Sequence, residues 1–232
     1  MKPQQELFNI ARPITTKRNK YEYIASGLGL LNYRVITDSE VNIRGKDIDL
    51  PMYVRSFISN HKEVIIIANI IRGQVVGMLL RATDTKAFMD YGFRSGSFYG
   101  IGSLSPDFKY GDPIMLVEGA IDCDIAKQFI TRNCLGVLTS SVSESKAMVL
   151  SCLTNKVLLF LDNDEAGARG EAASINKLAK YGVQATVIPK VARIKDLGDF
   201  LELYIRADLY TNSILIDIRS SVSLRGGKLV WD

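Results

Sequence analysis

Histidine and cysteine, the side chains that most often hold zinc, are scarce in this chain. Among 232 residues there is one histidine, His61, and the three cysteines, Cys123, Cys134 and Cys152, form no C-x-x-C pair. A structural zinc site needs four such ligands at short spacings, so an internal zinc finger is not expected. An odd number of cysteines without a secretion signal fits a reducing cytosol, and we expect all three to be small buried hydrophobic residues.

Long apolar runs and a nucleotide-binding P-loop are missing as well. No stretch of about 18 or more apolar residues occurs, and the first 20 residues are polar and basic, so neither a membrane helix nor a signal peptide is expected. The sequence "VLLFLDND" looks like a Walker B strand, but no G-x-x-x-x-G-K-[ST] accompanies it, which excludes a P-loop ATPase. We therefore expect a cytoplasmic protein with no membrane partner.

The net charge of +4 is unevenly distributed. Residues 1–111 carry 15 Lys+Arg and 10 Asp+Glu, a net +5, whereas residues 112–232 carry 14 and 15, a net −1. A basic surface attracts the phosphate backbone of nucleic acids. Ordinary solvated lysines are the commoner explanation of a charge of this size, so charge alone does not decide the function.

The pattern of residues predicts four segments. Residues 1–20 are expected to be a basic, poorly ordered arm, and residues 21–111 a smaller mixed α+β subdomain. In that subdomain a short helix is predicted near 21–31. The apolar β-branched runs "EVIIIANI" and "VVGMLLRAT" predict a β-hairpin that turns at Gly73. Residues 112–206 are expected to form the next domain and 207–232 a C-terminal extension.

Strands alternate with helices after residue 112. Strands are predicted at 113–117, 135–139, 156–161 and 184–189, and helices at 120–132, 143–153, 165–182 and 196–207. In the first helix, the face expected to be buried carries Ile121, Ile125, Ala126, Phe129 and Ile130. This alternation predicts an α/β fold, a parallel sheet with flanking helices.

Acidic residues follow two of these strands directly. Glu118 comes after the first strand, and Asp162 and Asp164 come after the third. Because ligands bind beyond the carboxyl ends of parallel strands, we expect the three carboxylates to meet at one edge of the sheet. Two like charges at about 4 Å repel by roughly 4 kcal/mol at an effective dielectric near 20, so such a cluster needs a cation or a raised pKa to persist. Hard carboxylate oxygens select Mg²⁺ or Mn²⁺.

Each acidic motif also has a simpler explanation when taken alone. The Glu-Gly pair is often a turn, and Asp164 could be the N-cap of the helix that follows. The sequence "DNDEAG" is not a calcium loop, because Ala166 and Ala173 stand where ligands are needed. Haloacid-dehalogenase phosphatases remain a weak alternative, because their pattern continues with Thr or Val instead of Ala166.

The two motifs, "MLVEGAIDC" and "VLLFLDNDEAG", resemble the TOPRIM domain shared by primases, topoisomerases, RecR proteins and some nucleases. The resemblance covers about residues 112–205. It implies that Glu118, Asp162 and Asp164 are catalytic and hold Mg²⁺ or Mn²⁺. Asp122 matches the acid that follows the Glu-Gly in primases.

Two glycines and the late motif "KDLGDF" complete this predicted site. Gly119 would let the backbone approach a ligand, and Gly167 would let the following helix pack closely on the sheet. The resemblance implies that Asp196 is a further metal ligand and that Gly119, Asp122 and Lys195 contact nucleotide or nucleic acid. Gly198 stands where the family has a second acid, and Asp199 follows one residue later.

The upstream sequences "GQVVGMLLRATDTKAF" and "SFYGIGSL" resemble the N-terminal subdomain of the DnaG-type RNA-polymerase core. The matching positions are Arg81, Lys86, Tyr99 and Gly100. The resemblance implies that Arg81 and Lys86 bind template or nucleotide phosphates. Without the resemblance, both would be interpreted as ordinary surface charges. Two leucines at 79–80 replace the Gly-Gly pair of the family.

The resemblance implies a DNA primase core of phage or mobile-element type, which makes short RNA primers from NTPs on a single-stranded DNA template. The sequence shows neither a zinc module nor a helicase module, so a replicative helicase or a separate zinc-binding subunit is an expected partner. Two alternatives stay open: a TOPRIM nuclease that cleaves phosphodiesters, and a non-catalytic replication subunit that binds nucleic acid.

Overall fold

The computed structural model describes residues 1–15, 22, 25, 30–94, 96–189 and 195–199, and the backbone of two short strands at 223–225 and 228–230. The chain divides into two compact units, residues 1–108 with 143–150 and residues 109–142 with 151–232. Most of the predicted helices at 21–31 and 196–207, and most of the extension at 207–232, lie outside the described residues. None of the helices in the described ranges has the length and apolarity needed to cross a membrane.

The first unit is built on an antiparallel sheet of five strands in the order β1-β2-β3-β4-β5. Its elements in chain order are α1 (Pro3–Ile10), β1 (Arg12–Pro13), β2 (Tyr33–Ile36), α2 (Asp38–Arg44), α3 (Met52–Ser59), β3 (Val64–Ile71), β4 (Gln74–Ala82), β5 (Phe88–Tyr91) and a 3₁₀ turn (Ile101–Ser103). Helix α5 (Glu144–Ser151) contributes residues 144–150 to this unit.

The predicted hairpin is confirmed as β3 and β4. Ile71 pairs with Gln74, which leaves a two-residue turn. Both turn residues have positive φ, 50° at Arg72 and 75° at Gly73. This is the combination that a tight hairpin turn needs to match the twist of its strands. Six consecutive residues of β3 from Val64 are buried, because both faces of this central strand are covered.

The expectation of a poorly ordered arm is wrong for its first part. Residues 3–10 form α1, with Pro3 at the start, where a missing N–H costs nothing. Leu7 and Phe8 are buried in the core of the first unit, and the Gln5 side chain accepts a hydrogen bond of 2.7 Å from the backbone N–H of Val75. Burial of these apolar side chains, which charge-based reasoning overlooked, orders the segment.

The second unit contains a parallel sheet of four strands in the order β7-β6-β8-β9, which confirms the predicted fold class. Its elements in chain order are β6 (Ile114–Val117), α4 (Ala120–Phe129), β7 (Cys134–Gly136), β8 (Lys156–Phe160), α6 (Glu165–Lys180) and β9 (Gln184–Val187), followed by an antiparallel pair, β10 (Ser223–Arg225) and β11 (Lys228–Val230). Helix α4 packs against β6 and β7, and α6 packs against β9.

Two predictions about burial need correction. The buried face of α4 is centred on Cys123 and Ala126, whereas Ile130 lies beyond the helix and is 36% exposed. The helix is shorter than predicted, and Ile130 is therefore not held against the sheet. Cys152 is exposed, unlike Cys123 and Cys134, which are buried as expected.

Candidate functional site

The predicted acidic residues lie at the carboxyl ends of two neighbouring strands. Strands β6 and β8 are hydrogen-bonded to each other in parallel, with Val117 opposite Phe160. Glu118 follows β6 directly, and Asp162 and Asp164 follow β8 after Leu161. The topology therefore brings Glu118 to the aspartates, although 43 residues separate Glu118 from Asp162 in the sequence.

Glu118 is partly buried at the end of β6. Its carboxylate accepts a hydrogen bond from the backbone of Asp162. The Oε2 oxygen is buried, and it finds no hydrogen-bond partner in the described part of the chain. Burial raises the pKa of Glu118 above its usual value, and the negative charges of Asp162 and Asp164 raise it further. A buried carboxylate oxygen without a partner is costly unless a cation or a proton compensates it.

Asp162 and Asp164 have opposite pKa shifts because their surroundings differ. Burial, and then the charge of Asp196, raises the pKa of Asp162. Asp164 is the N-cap of α6 and accepts a hydrogen bond of 2.9 Å from the Gly167 N–H, which lowers its pKa. The simpler explanation of Asp164 as a helix cap is therefore correct, and only one of its oxygens makes this bond.

Lys195 forms ion pairs with both aspartates. Its Nζ lies 3.4 Å from Oδ2 of Asp162 and 3.3 Å from Oδ2 of Asp164. The hydrogen bond to Asp164 and the charge of Asp162 raise the pKa of Lys195, so the ammonium form is favoured. The sequence analysis assigned Lys195 to nucleotide or nucleic-acid binding and missed these contacts, because no local pattern links a lysine to acids some 30 residues earlier.

The segment 195–199 is held against the site by backbone hydrogen bonds. The carbonyl of Lys195 accepts from the Asn163 N–H at 2.7 Å, and the Lys195 N–H donates to Asp199 Oδ2 at 3.1 Å. The Asp199 N–H donates in turn to Asp196 Oδ1 at 2.7 Å. Asp199 thus binds its own loop, whereas Asp196 faces Asp162 closely enough to affect its pKa.

Asp122 connects this segment to α4. Its Oδ1 accepts a hydrogen bond of 3.1 Å from the Gly198 N–H. Gly198, which has no side chain, stands where the family pattern has an acid. A Cβ on Gly119 would lie 2.6 Å from Asp122 Oδ2. In this structure Gly119 makes room for the Asp122 carboxylate.

Gly167 and Gly170 bring α6 close to neighbouring backbone. A Cβ on Gly167 would lie 1.9 Å from the carbonyl oxygen of Asp162, and one on Gly170 would lie 1.7 Å from that of Ser140. Real side chains do not fit at such distances. The expectation that Gly167 permits close packing of the helix is therefore confirmed.

The donor atoms suit a hard divalent cation. Carboxylate oxygens are what Mg²⁺ and Mn²⁺ prefer, and the buried Oε2 of Glu118 lacks a compensating partner among the described residues. As they stand, however, no three Asp, Glu, His or Cys side chains of the described ranges are gathered tightly enough to hold a metal. Within the described residues, the positive charge in contact with the aspartates is that of Lys195.

Arg81 and Lys86, the two residues predicted to bind phosphates, belong to the first unit. The Arg81 guanidinium lies 6.0 Å from the centre of the Phe88 ring, and Lys86 is exposed. Tyr99 is buried and accepts a hydrogen bond from the Asn32 side chain, and Gly100 has a φ of 80°. The Tyr-Gly pair thus has a structural role within this unit.

Comparison with known proteins shows what the second unit resembles. Residues 115–201 match the family model described as Toprim-like. This match covers 87 of the 232 residues, a little over a third of the chain. A DNA primase from Clostridium acetobutylicum is 26% identical to this chain over 122 residues, which are 53% of this chain and 20% of that protein. The match thus spans about a fifth of the relative's length.

Solved primase structures share the fold of both units. The Aquifex aeolicus primase, with its zinc-binding and RNA polymerase domains, matches 94% of this chain and 62% of its own at a TM-score of 0.66 and 16% identity. A DnaG primase catalytic domain bound to single-stranded DNA matches 94% of this chain and 78% of its own at a TM-score of 0.64 and 16% identity. At these identities the likeness shows a shared fold.

Proposed function

We propose that the chain is the catalytic core of a DNA primase, which joins NTPs into short RNA primers on a single-stranded DNA template. One observation carries this proposal. Glu118, whose buried Oε2 has no hydrogen-bond partner among the described residues, lies beside Asp162 at the ends of two adjacent strands of a Toprim-like sheet. The likeness of nearly the whole chain to primase cores supports the same conclusion.

In this proposal the acidic residues bind a divalent cation. Glu118 and Asp162 supply the enclosed oxygens, Asp164 offers the oxygen that does not cap α6, and Asp196 stands next to Asp162. When bound, Mg²⁺ or Mn²⁺ neutralises phosphate charge and activates a hydroxyl nucleophile. Asp122 is a positioning residue that fixes the 195–199 segment through Gly198.

Basic residues of the first unit would hold the polyanionic ligands. Arg81 and Lys86 are the candidates for binding template or nucleotide phosphates, because hydrogen bonds between cationic side chains and phosphate oxygens are stronger than those between neutral groups. A DnaG catalytic domain has been solved with single-stranded DNA, which supports a similar template here. A zinc-binding subunit is proposed as a partner, since the Aquifex primase carries a zinc-binding domain. A helicase is proposed as well, since a primase fragment of similar fold comes from the bacteriophage T7 primase-helicase protein.

RNA synthesis tests the proposal directly. The purified chain is incubated with single-stranded DNA, labelled NTPs and Mn²⁺, and the products are separated by length. We expect short RNA products from the wild type and a loss of at least about 100-fold for Asp162→Asn, which keeps the side-chain size but removes a charge that would hold the metal. Asp47→Asn, which removes an exposed charge in the first unit, is the matched control and should stay active.

Other outcomes distinguish the alternatives. Shortened DNA that depends on Asp162 would indicate a TOPRIM nuclease. Retained DNA without any product would indicate a binding subunit. Full activity of Asp162→Asn would refute the assignment of the site.

A further inference from the structure

Lys195 stands out because its charge already occupies the place where a cation is needed. The ammonium contacts Asp162 and Asp164 at 3.4 and 3.3 Å, so two carboxylates share one positive charge. Half of its side chain, 53%, is exposed, compared with 20% for Asp162. Without Lys195 the two aspartates and Glu118 would repel one another in a partly buried space.

The backbone of Lys195 is fixed while its side chain is not. Both backbone groups are bound, the carbonyl by Asn163 and the N–H by Asp199. Gly198 is tied to Asp122, which holds the other end of the segment. The ammonium, by contrast, sits on a stem of four methylene groups with solvent beside it. It can therefore leave the carboxylates by rotation of the stem, with the loop in place.

We propose that Lys195 is a resident counterion that a divalent cation must displace from Asp162 and Asp164. The inference rests on the proposed metal site and goes beyond it, because it assigns this chain a built-in competitor for its metal. Lys195 then keeps the acidic residues together when no metal is bound and sets the concentration at which metal enters. This accounts for the acids being neighbours without forming a closed metal cluster among the described residues.

Competition predicts that removal of the charge strengthens metal binding. We expect Lys195→Met to bind Mn²⁺ about tenfold more tightly than the wild type, since two partly exposed ion pairs no longer oppose the metal. Lys195→Arg keeps the charge and should bind with nearly wild-type affinity. A merely structural role of Lys195 would weaken binding on its loss and could not strengthen it.

The measurement is Mn²⁺ titration of the full chain, followed by the electron paramagnetic resonance signal of free Mn²⁺. Lys156→Met is the matched control, because Lys156 is an exposed lysine at the opposite end of the same strand, β8. It changes the net charge by the same amount and should leave the affinity unchanged. Thermal unfolding in EDTA provides a second readout, in which Lys195→Met should melt below the wild type and regain more on addition of Mn²⁺.

Asp162→Asn separates this inference from the proposed function. If this variant binds no Mn²⁺ and Lys195→Met binds no more tightly than the wild type, the metal site stands and the counterion role is refuted. If Asp162→Asn binds Mn²⁺ as the wild type does, or if neither the wild type nor Lys195→Met binds it, the metal site itself is wrong.

Discussion

Glu118, Asp162 and Asp164 show how one kind of side chain acquires different properties within a single site. Burial comes first in raising the pKa of Glu118 and of Asp162, and neighbouring negative charges add to it. Asp164 has a lowered pKa because a helix N–H and Lys195 stabilise its charge. The first two carboxylates therefore gain most from a cation, whereas the third is already compensated.

The raised pKa of Glu118 has a consequence for stability. A carboxyl group whose pKa is higher in the folded than in the unfolded protein stabilises the fold at pH values below its unfolded-state pKa. This stabilisation is lost as the pH rises through the folded-state pKa. In metal-free protein, Glu118→Gln should therefore raise the melting temperature at neutral pH and give no gain in acid. Differential scanning calorimetry in EDTA measures both.

Addition of Mn²⁺ should make the wild type melt above Glu118→Gln, because only the wild type gains stability from the bound ion. Glu165→Gln serves as the control, since Glu165 is exposed and its pair with Arg169 is a weak surface contact. A Glu118→Gln protein that melts below the wild type in EDTA at neutral pH would contradict the electrostatic account of this residue.

At the scale of elements, the site depends on how closely α6 approaches the end of β8. The helix begins at the Asp164 cap, and Gly167 lies directly on the Asp162 carbonyl, which leaves no space for a Cβ. A bulkier residue would push the start of the helix away from the strand. The two aspartates would then lose their common geometry.

Gly167→Ala should consequently lower the free energy of unfolding by roughly 1–3 kcal/mol and weaken Mn²⁺ binding as well. Urea denaturation and Mn²⁺ titration measure the two effects. Gly96→Ala is the matched substitution, because its Cβ would meet nothing closer than 3.6 Å, and it should change stability by less than about 0.5 kcal/mol. Wild-type stability and metal affinity in Gly167→Ala would contradict the close-packing argument.

For the whole molecule, the sequence predicted what apolar runs and strand order determine. The parallel sheet and the β3–β4 hairpin were recognisable because their strands are continuous apolar segments bounded by turn residues. The neighbouring positions of Glu118 and Asp162 followed from the rule that parallel strands end at one edge. The sheet, the hairpin and the neighbouring acids all depend on strand direction and burial, and both can be read from the order of apolar and turn residues.

The rest depends on contacts between distant residues. Helix α1 is ordered by burial of Leu7 and Phe8 against elements that follow much later in the chain, and its short pattern does not reveal that packing. The pairing of Lys195 with the aspartates, and of Gly198 with Asp122, likewise joins segments that no local motif connects. The end of α4 before Ile130 is a third case, because apolar spacing continues beyond the helix itself.

The central claim is that Glu118 and Asp162 hold one divalent cation at the end of β6 and β8. Anomalous X-ray scattering from crystals of the full chain soaked in Mn²⁺ tests it most directly. The account predicts one strong peak at about 2.1 Å from carboxylate oxygens of both residues, with the Lys195 ammonium moved away. A map with no peak there, or with Mn²⁺ bound only at other surfaces, would contradict it.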